Sequence, residues 1–271
     1  MTASVKTIAL LTDFGYRDHY AGVMKGVIAT IAPAATVIDV THGIAPQDIA
    51  AGALVLRQSC RFFPSRTIFV AVVDPGVGTA RLPLAIETRT GACFVGPGNG
   101  LLWPAADAAG IKRIVELRSP RYRLPQVSAT FHGRDIFAPA AAWLARGVAL
   151  TKLGPPVKEI TQLSLETGIE EGARTLAGAV VYIDSFGNLV TNLDRARVDR
   201  FVARFRECRL SVRIRRRAPI EMRTAYGKAS PGAPLATFGS FDLLEIAVRD
   251  GSAADYFAAG AGTPVTLRAE R

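Results

Sequence analysis

The sequence predicts an α/β amino-terminal domain with a mostly parallel central sheet, followed by a smaller β-barrel-like carboxy-terminal domain. Three observations carry this expectation. Strand-like and helix-like stretches alternate through the first half of the 271 residues, and such alternation packs as a mostly parallel sheet covered by helices. The stretch GPPVKEITQLSLETGIEEGARTL then brings Pro, Gly and acidic residues without periodicity, as a linker does. Beyond it come short apolar runs separated by turn residues, the pattern of a small barrel or sandwich. The expected boundary lies near residue 170, with domains over 1–168 and 169–271.

Taken in order, KTIALLTD (6–13) is a short apolar run ending in Asp and predicts a strand. The stretch around YAGVMKGVIATIA predicts a helix that Pro33 ends. ATVIDVTH (35–42) is β-branched and strand-like, and DIAAGALVLRQSCRFF returns to helical spacing. TIFVAVVDPG (67–76) is Val-rich, closed by Pro-Gly, and the most strand-like segment of the chain. LPLAIETR and ACFVGPGNG predict two more strands, and DIFAPAAAWLARG (135–147) an amphipathic or buried helix. In the second half LAGAVVYID, GNLVTNL, LSVRIR, LATFGSF, LLEIAV and PVTLRA are the strand candidates.

Composition narrows the function classes. Apolar residues make up 49% of the chain, which is incompatible with disorder. No apolar run reaches the roughly 18–20 residues of a membrane helix. The apolar run in MTASVKTIALLTDFG is too short for a signal-peptide core, so a cytoplasmic location is expected. Cys60, Cys93 and Cys208 have no metal-binding spacing and read as buried thiols in a reducing cytoplasm. The net charge of +10 concentrates in 195–223, RARVDRFVARFRECRLSVRIRRRAPIEMR. That run reads as a solvated face or as an anion-binding surface. Within it LSVRIRRRA alternates like a half-exposed strand, and no aromatic platform is interleaved. Neither a nucleic-acid nor a membrane partner is expected.

Chemistry concentrates where the apolar strands stop. Asp13 ends the first run, His42 the second and Asp74 the third, and FHGRD brings His132, Arg134 and Asp135. Ligands of open α/β sheets bind beyond the carboxyl ends of the strands, so these clusters point to an active site. Asp13, His42, Asp74 and His132 also have the ligand chemistry of a metal-dependent hydrolase, although no HxH or HxxxH pair anchors a first metal. Gly76, Gly78 and Arg81 lack the third Gly of a dinucleotide fingerprint. GPGNG (96–100) suits an anion cradle or a tight turn.

At VVDPGVGTAR, FHGRDIFAP and IDSFGNLVTN the chain resembles the S-adenosyl-L-methionine (SAM) hydroxide adenosyltransferases, relatives of fluorinases and chlorinases. The likeness runs from TDFG through GVMKGVI, DVTHGIAPQDI and PGNGLL to SFDLLEIAV. It implies hydrolysis of SAM to adenosine and L-methionine, without metal or redox cofactor. It also implies homotrimers whose active sites lie between one subunit's amino-terminal domain and its neighbour's carboxy-terminal domain. The family's Asp-Arg-His triad falls on Asp74, Arg81 and His132. The halogenases carry Tyr at the position of Asp74 and Tyr-Ser at His132-Gly133, and they hold an extra loop that is absent here. The hydrolase branch is therefore expected.

For the substrate, the resemblance puts Asp13 on the ribose hydroxyls and Asp18 near the methionine amine. Phe131 belongs to the same substrate-facing set. Asp184 and Asn188 match methionine-binding residues, Phe186 a ring beside the adenine, and Ser240 a contact to the methionine carboxylate. Gln47 stands where the halogenases have Trp, and Phe241 where they have Arg. The adenine edge aligns at Val248, Arg249 and Asp250, where the family uses main-chain groups.

The implied reaction suits these residues. A sulfonium leaves without protonation, so the scarce component is a nucleophile. Water (pKa about 15.7) facing a carboxylate (about 3.9) is mismatched by about 12 units, or about 16 kcal/mol for full transfer before attack. Asp74 can instead accept a hydrogen bond from water that loses its proton as the C–S bond breaks. Arg81 would stabilise developing charge, and His132 would orient the water or take its proton. The alternatives are the metal-dependent hydrolase, a SAM- or nucleoside-binding regulatory protein, and a basic RNA-binding protein.

Overall fold

Strand β1 (Thr7–Thr12) is buried at every residue after Thr7, as its unbroken apolar run requires of a strand covered on both faces. In the computed structural model, which describes residues 6–166, 168–215 and 217–270, the chain divides between Ser164 and Leu165 into two compact units. After β1, the first unit continues through α1 (Tyr20–Ile31), β2 (Thr36–Thr41), α2 (Ile49–Cys60), β3 (Ile68–Val72) and β4 (Pro83–Thr88). It is completed by β5 (Cys93–Pro97), α3 (Trp103–Ala108), β6 (Ile111–Glu116) and α4 (Ala138–Ala145).

The strand order is β2-β1-β3-β5-β4-β6. The first four run parallel, while β4 is antiparallel to both β5 and β6. The sheet is thus mixed, because a short turn at Gly91 (φ +87°) joins β4 and β5 as a hairpin. Register pairs Thr12 of β1 with Val72 of β3, so Asp13 and Asp74 leave the sheet at one rim. Beneath that rim, Leu10, Val70 and Val95 pack with Met24 and Ile28 of α1 and with the buried alanines of α4.

The helix expected over 135–147 is α-helical from Ala138 onward and opens with a wider π-helical turn, Gly133–Phe137. Pro139 lacks the N–H that an α-helix would direct at the Asp135 carbonyl. Leu124 N donates to that carbonyl instead, at 2.9 Å. The turn thereby positions His132 at the head of the segment.

The second unit holds β7 (Glu170–Glu171), β8 (Thr175–Ile183), β9 (Leu189–Asp194), α5 (Arg195–Val202) and β10 (Arg209–Ile214). It continues with β11 (Ile220–Glu221), β12 (Pro234–Phe238), β13 (Leu243–Val248), α6 (Ala253–Phe257) and β14 (Pro264–Glu270). Among the described residues the antiparallel order is β11-β10-β14-β8-β9-β13-β12, with β7 beside β8. Arg223 N donates to Ala236 O at 2.8 Å beside a bridge from Met222 to Ala236, so β11 meets β12 and the barrel is nearly closed.

Helix α5 lies in the basic run and was not marked by it. Asp194 caps the helix by accepting from Arg197 N at 2.7 Å, and Val198 and Phe201 bury its one apolar stripe. Cys60, Cys93 and Cys208 are free thiols, but each is partly exposed rather than buried as expected, because each sits at the end of its element or in a connecting turn. Among the described residues no helix is long and apolar enough to cross a membrane.

Candidate active site

Beyond β3 the chain turns back on itself: Val77 N donates to Asp74 O at 3.2 Å, and Thr79 N to Gly76 O at 3.1 Å. This reversal returns Arg81 to Asp74. Arg81 Nε donates to Asp74 Oδ1 at 3.0 Å, and Nη2 donates to Asp74 Oδ2. The same Nη2 donates to His132 Nδ1 at 2.7 Å. The guanidinium also lies over the buried Phe137 ring, 5.4 Å from its centroid. With side chains only 6% and 9% exposed, Asp74 and Arg81 form a pair that solvent screens little. Removing either partner would strand a buried charge, at about 3–5 kcal/mol.

The hydrogen bond to Arg81 fixes the state of His132. Arginine has only donors, so Nδ1 must offer a lone pair, and the neutral ring carries its proton on Nε2. Burial, reinforced by the Arg81 charge, pushes His132 below the ordinary imidazole value of 6.5 against the opposing pull of Asp74. At neutral pH the ring is an uncharged donor at Nε2.

Two features bring these loops together. Gly78 has φ +78°, and a Cβ there would stand 2.6 Å from the Ala129 carbonyl oxygen. Only glycine allows that approach. Asp135 is fully buried and accepts from Ser128 N at 2.8 Å and from Arg134 Nε at 2.5 Å. Arg134 and Asp135 therefore pin the segment that carries His132.

Along the same rim, Asp13 Oδ2 accepts from Gln47 N at 2.8 Å. Gln47 is exposed and holds φ +67°. His42 is buried, with Nδ1 2.8 Å from Thr12 Oγ1 and Nε2 3.1 Å from Asp39 Oδ1. Its carbonyl receives Gly15 N at 2.7 Å, so His42 braces the loop after Asp13. Phe131 meets Phe14 and Tyr20 edge-on at 5.8 and 5.1 Å, half-buried against the core. Asp18 is exposed between β1 and α1.

In the second unit, Asp184 Oδ1 accepts from Phe186 N and Asn188 N, both at 2.9 Å, and Oδ2 from Asn188 Nδ2 at 2.8 Å. The tight turn leaves Phe186 77% exposed, unusual for a bare aromatic ring. Ser240 and Phe241 occupy the exposed turn before β13. The Val248 side chain packs into the barrel core. Sequence reasoning missed the pair Tyr226–Glu245, whose Oη donates to Oε1 at 2.5 Å. Burial raises the Glu245 pKa, and Asp184 adds to the effect despite the Tyr226 hydrogen bond. The available signal was a lone carboxylate inside LLEIAV. Among the described residues no three His, Cys, Asp or Glu side chains gather as metal ligands.

Residues 8–154 match the SAM hydroxide adenosyltransferase N-terminal domain, and residues 178–266 the corresponding C-terminal domain. A Thermus thermophilus protein named (R)-S-adenosyl-L-methionine hydrolase is 40% identical, over 97% of this chain and all of its own. The crystal structure of an uncharacterized conserved protein from Thermotoga maritima superposes with TM-score 0.89 at 33% identity, covering 96% of this chain and 99% of that one. A fluorinase of Actinoplanes sp. is more distant, at 27% identity over 71% of this chain and 73% of its own.

Proposed function

Because the chain belongs to the SAM hydroxide adenosyltransferase family, we propose that it hydrolyses SAM at C5′ to adenosine and L-methionine. The observation that carries this reading is the hydrogen-bonded chain from Asp74 through Arg81 to His132.

The sulfonium needs no acid to leave, so the protein's task is to position water and accept its proton. His132 Nε2–H donates to the water oxygen and aims its lone pair at C5′. It cannot serve as the base, because its other nitrogen is committed to Arg81. Asp74 is the acceptor. As C–S breaks and C–O forms, one water proton passes to Asp74 and then to solvent, while the other stays on the adenosine 5′-hydroxyl. The departing sulfur keeps the electron pair as the methionine thioether. Arg81 ties acceptor and orienter together through one guanidinium, and fixing water at near-attack distance supplies about 7–11 kcal/mol.

Around this centre, Asp13 takes the ribose hydroxyls, with Gln47 and Phe131 beside the nucleoside and Asp18 at the methionine amine. From the second domain, Asp184, Asn188, Ser240 and Phe241 face the methionine, Phe186 the adenine ring, and Val248 the adenine edge by its main chain. The resemblance supports a cytoplasmic homotrimer, with the catalytic domain (1–168) of one subunit completed by residues 169–271 of its neighbour. No metal is required by a leaving sulfonium, and no nucleic acid or membrane partner is involved.

Incubation with SAM in the presence of EDTA, followed by chromatography, tests the reading. Adenosine and methionine should form in equal amounts. Methylthioadenosine as product, or turnover that needs added Mn²⁺ or Zn²⁺, would overturn it.

A further inference from the structure

A cavity of about 360 Å³ lies at the other end of the amino-terminal sheet from Asp74. Lys6 precedes β1, Ile68 opens β3 and Cys93 opens β5, and all three line it. Parallel strands of this length set it about 20 Å from the rim that carries Asp13 and Asp74.

Its lining is unbalanced in charge. Lys6, Arg66, Lys112 and Arg113 face the cavity with a single carboxylate, Glu87. Lys112 is bound to Glu87 at 2.9 Å. Lys6, Arg66 and Arg113 have no ion-pair partner among the described residues. The cations converge on one space, since Lys6, Arg66, Lys112 and the partly buried Cys93 all line the same cavity. Gly91 makes room for Arg66, since a Cβ there would stand 3.1 Å from Arg66 Cγ. Arg66 itself holds φ +69°, a conformation long side chains rarely adopt. The rest of the wall is apolar: Ile68, Leu144, Val148 and Leu150.

Like charges gathered around a concave space repel unless an anion enters. Guanidinium groups beside an ammonium suit a phosphate dianion, through paired N–H donors and a point charge. The apolar wall suits a hydrocarbon or aromatic body, and the volume falls in the range of small-molecule sites. We propose that this cavity binds a small phosphomonoester with an apolar body, at a site separate from Asp74, Arg81 and His132.

Titration calorimetry of the full-length protein with phenyl phosphate, in saturating adenosine, tests this. One site per chain should fill, and Arg66→Ala and Arg113→Ala should each weaken it about tenfold or more without changing the melting temperature. Inorganic phosphate should bind more weakly than phenyl phosphate. Bound phenyl phosphate should slow alkylation of Cys93 and leave Cys60 and Cys208 unaffected. The proposal fails if no saturable binding occurs, if both variants bind as the parent does, or if Cys93 is unprotected. Equal affinity for inorganic phosphate would overturn the apolar-body assignment.

Discussion

Gly78 lies against the main chain of Ala129, so closely that a Cβ on Gly78 would stand 2.6 Å from the Ala129 carbonyl oxygen. The contact joins the loop that carries Arg81 to the segment that carries His132. Gly78→Ala adds that Cβ and strains a φ of +78°, at about 1–3 kcal/mol. The variant should melt several degrees lower and turn over SAM at least about tenfold more slowly, as the Arg81–His132 hydrogen bond opens. Unchanged kcat would show that the close approach of the two loops is dispensable.

Asp74 is assigned to the water and not to the nucleoside. Asp74→Asn keeps the side-chain shape but loses the proton acceptor, and kcat should fall by about 10²–10⁴. Adenosine affinity should stay within about threefold of the parent, a difference under 1 kcal/mol. A variant with near-normal kcat but lost adenosine binding would reverse the assignment.

His132 must be neutral to accept from Arg81, and burial with the Arg81 charge holds its pKa below 6.5. The kcat profile should therefore stay level as pH falls through 6.5 and decline only below it. Stability follows the same direction. The fold favours the neutral ring, so this contribution is complete above 6.5 and is lost as pH falls through the lower folded value. Thermal melts of the parent and of His132→Asn across that range should converge at acid pH. An acid limb centred above 6.5 would contradict the assigned tautomer.

The proposed sharing of each active site between subunits has its own test. Asp74→Ala and Asp184→Ala protomers, each inactive alone, should regain activity after subunit exchange. An interface can then pair the intact first domain of one protomer with the intact second domain of another. No recovery after verified exchange would assign both sets of residues to one chain.

Much of this was legible in the sequence because strand ends display chemistry. The runs before Asp13 and Asp74 are unbroken and apolar, so both carboxylates had to emerge at the rim of a covered sheet. The antiparallel β4 was harder to read, since LPLAIETR carries the same apolar signal in either direction. Only the turn at Gly91 reverses it. Helix α5 stayed hidden because Val198 and Phe201 are its only buried residues among arginines. His42 read as a candidate ligand beside His132, yet the fold buries it against Thr12 and Asp39. The state of His132 was beyond sequence reading, because it depends on one hydrogen bond across 51 positions.

Turnover of SAM in water labelled with heavy oxygen, followed by mass spectrometry of the products, tests the central claim most directly. Attack at C5′ by a water held between Asp74 and His132 predicts one labelled oxygen in the 5′-hydroxyl of each adenosine and none in methionine. Unlabelled adenosine, or label in an amino-acid product, would contradict it.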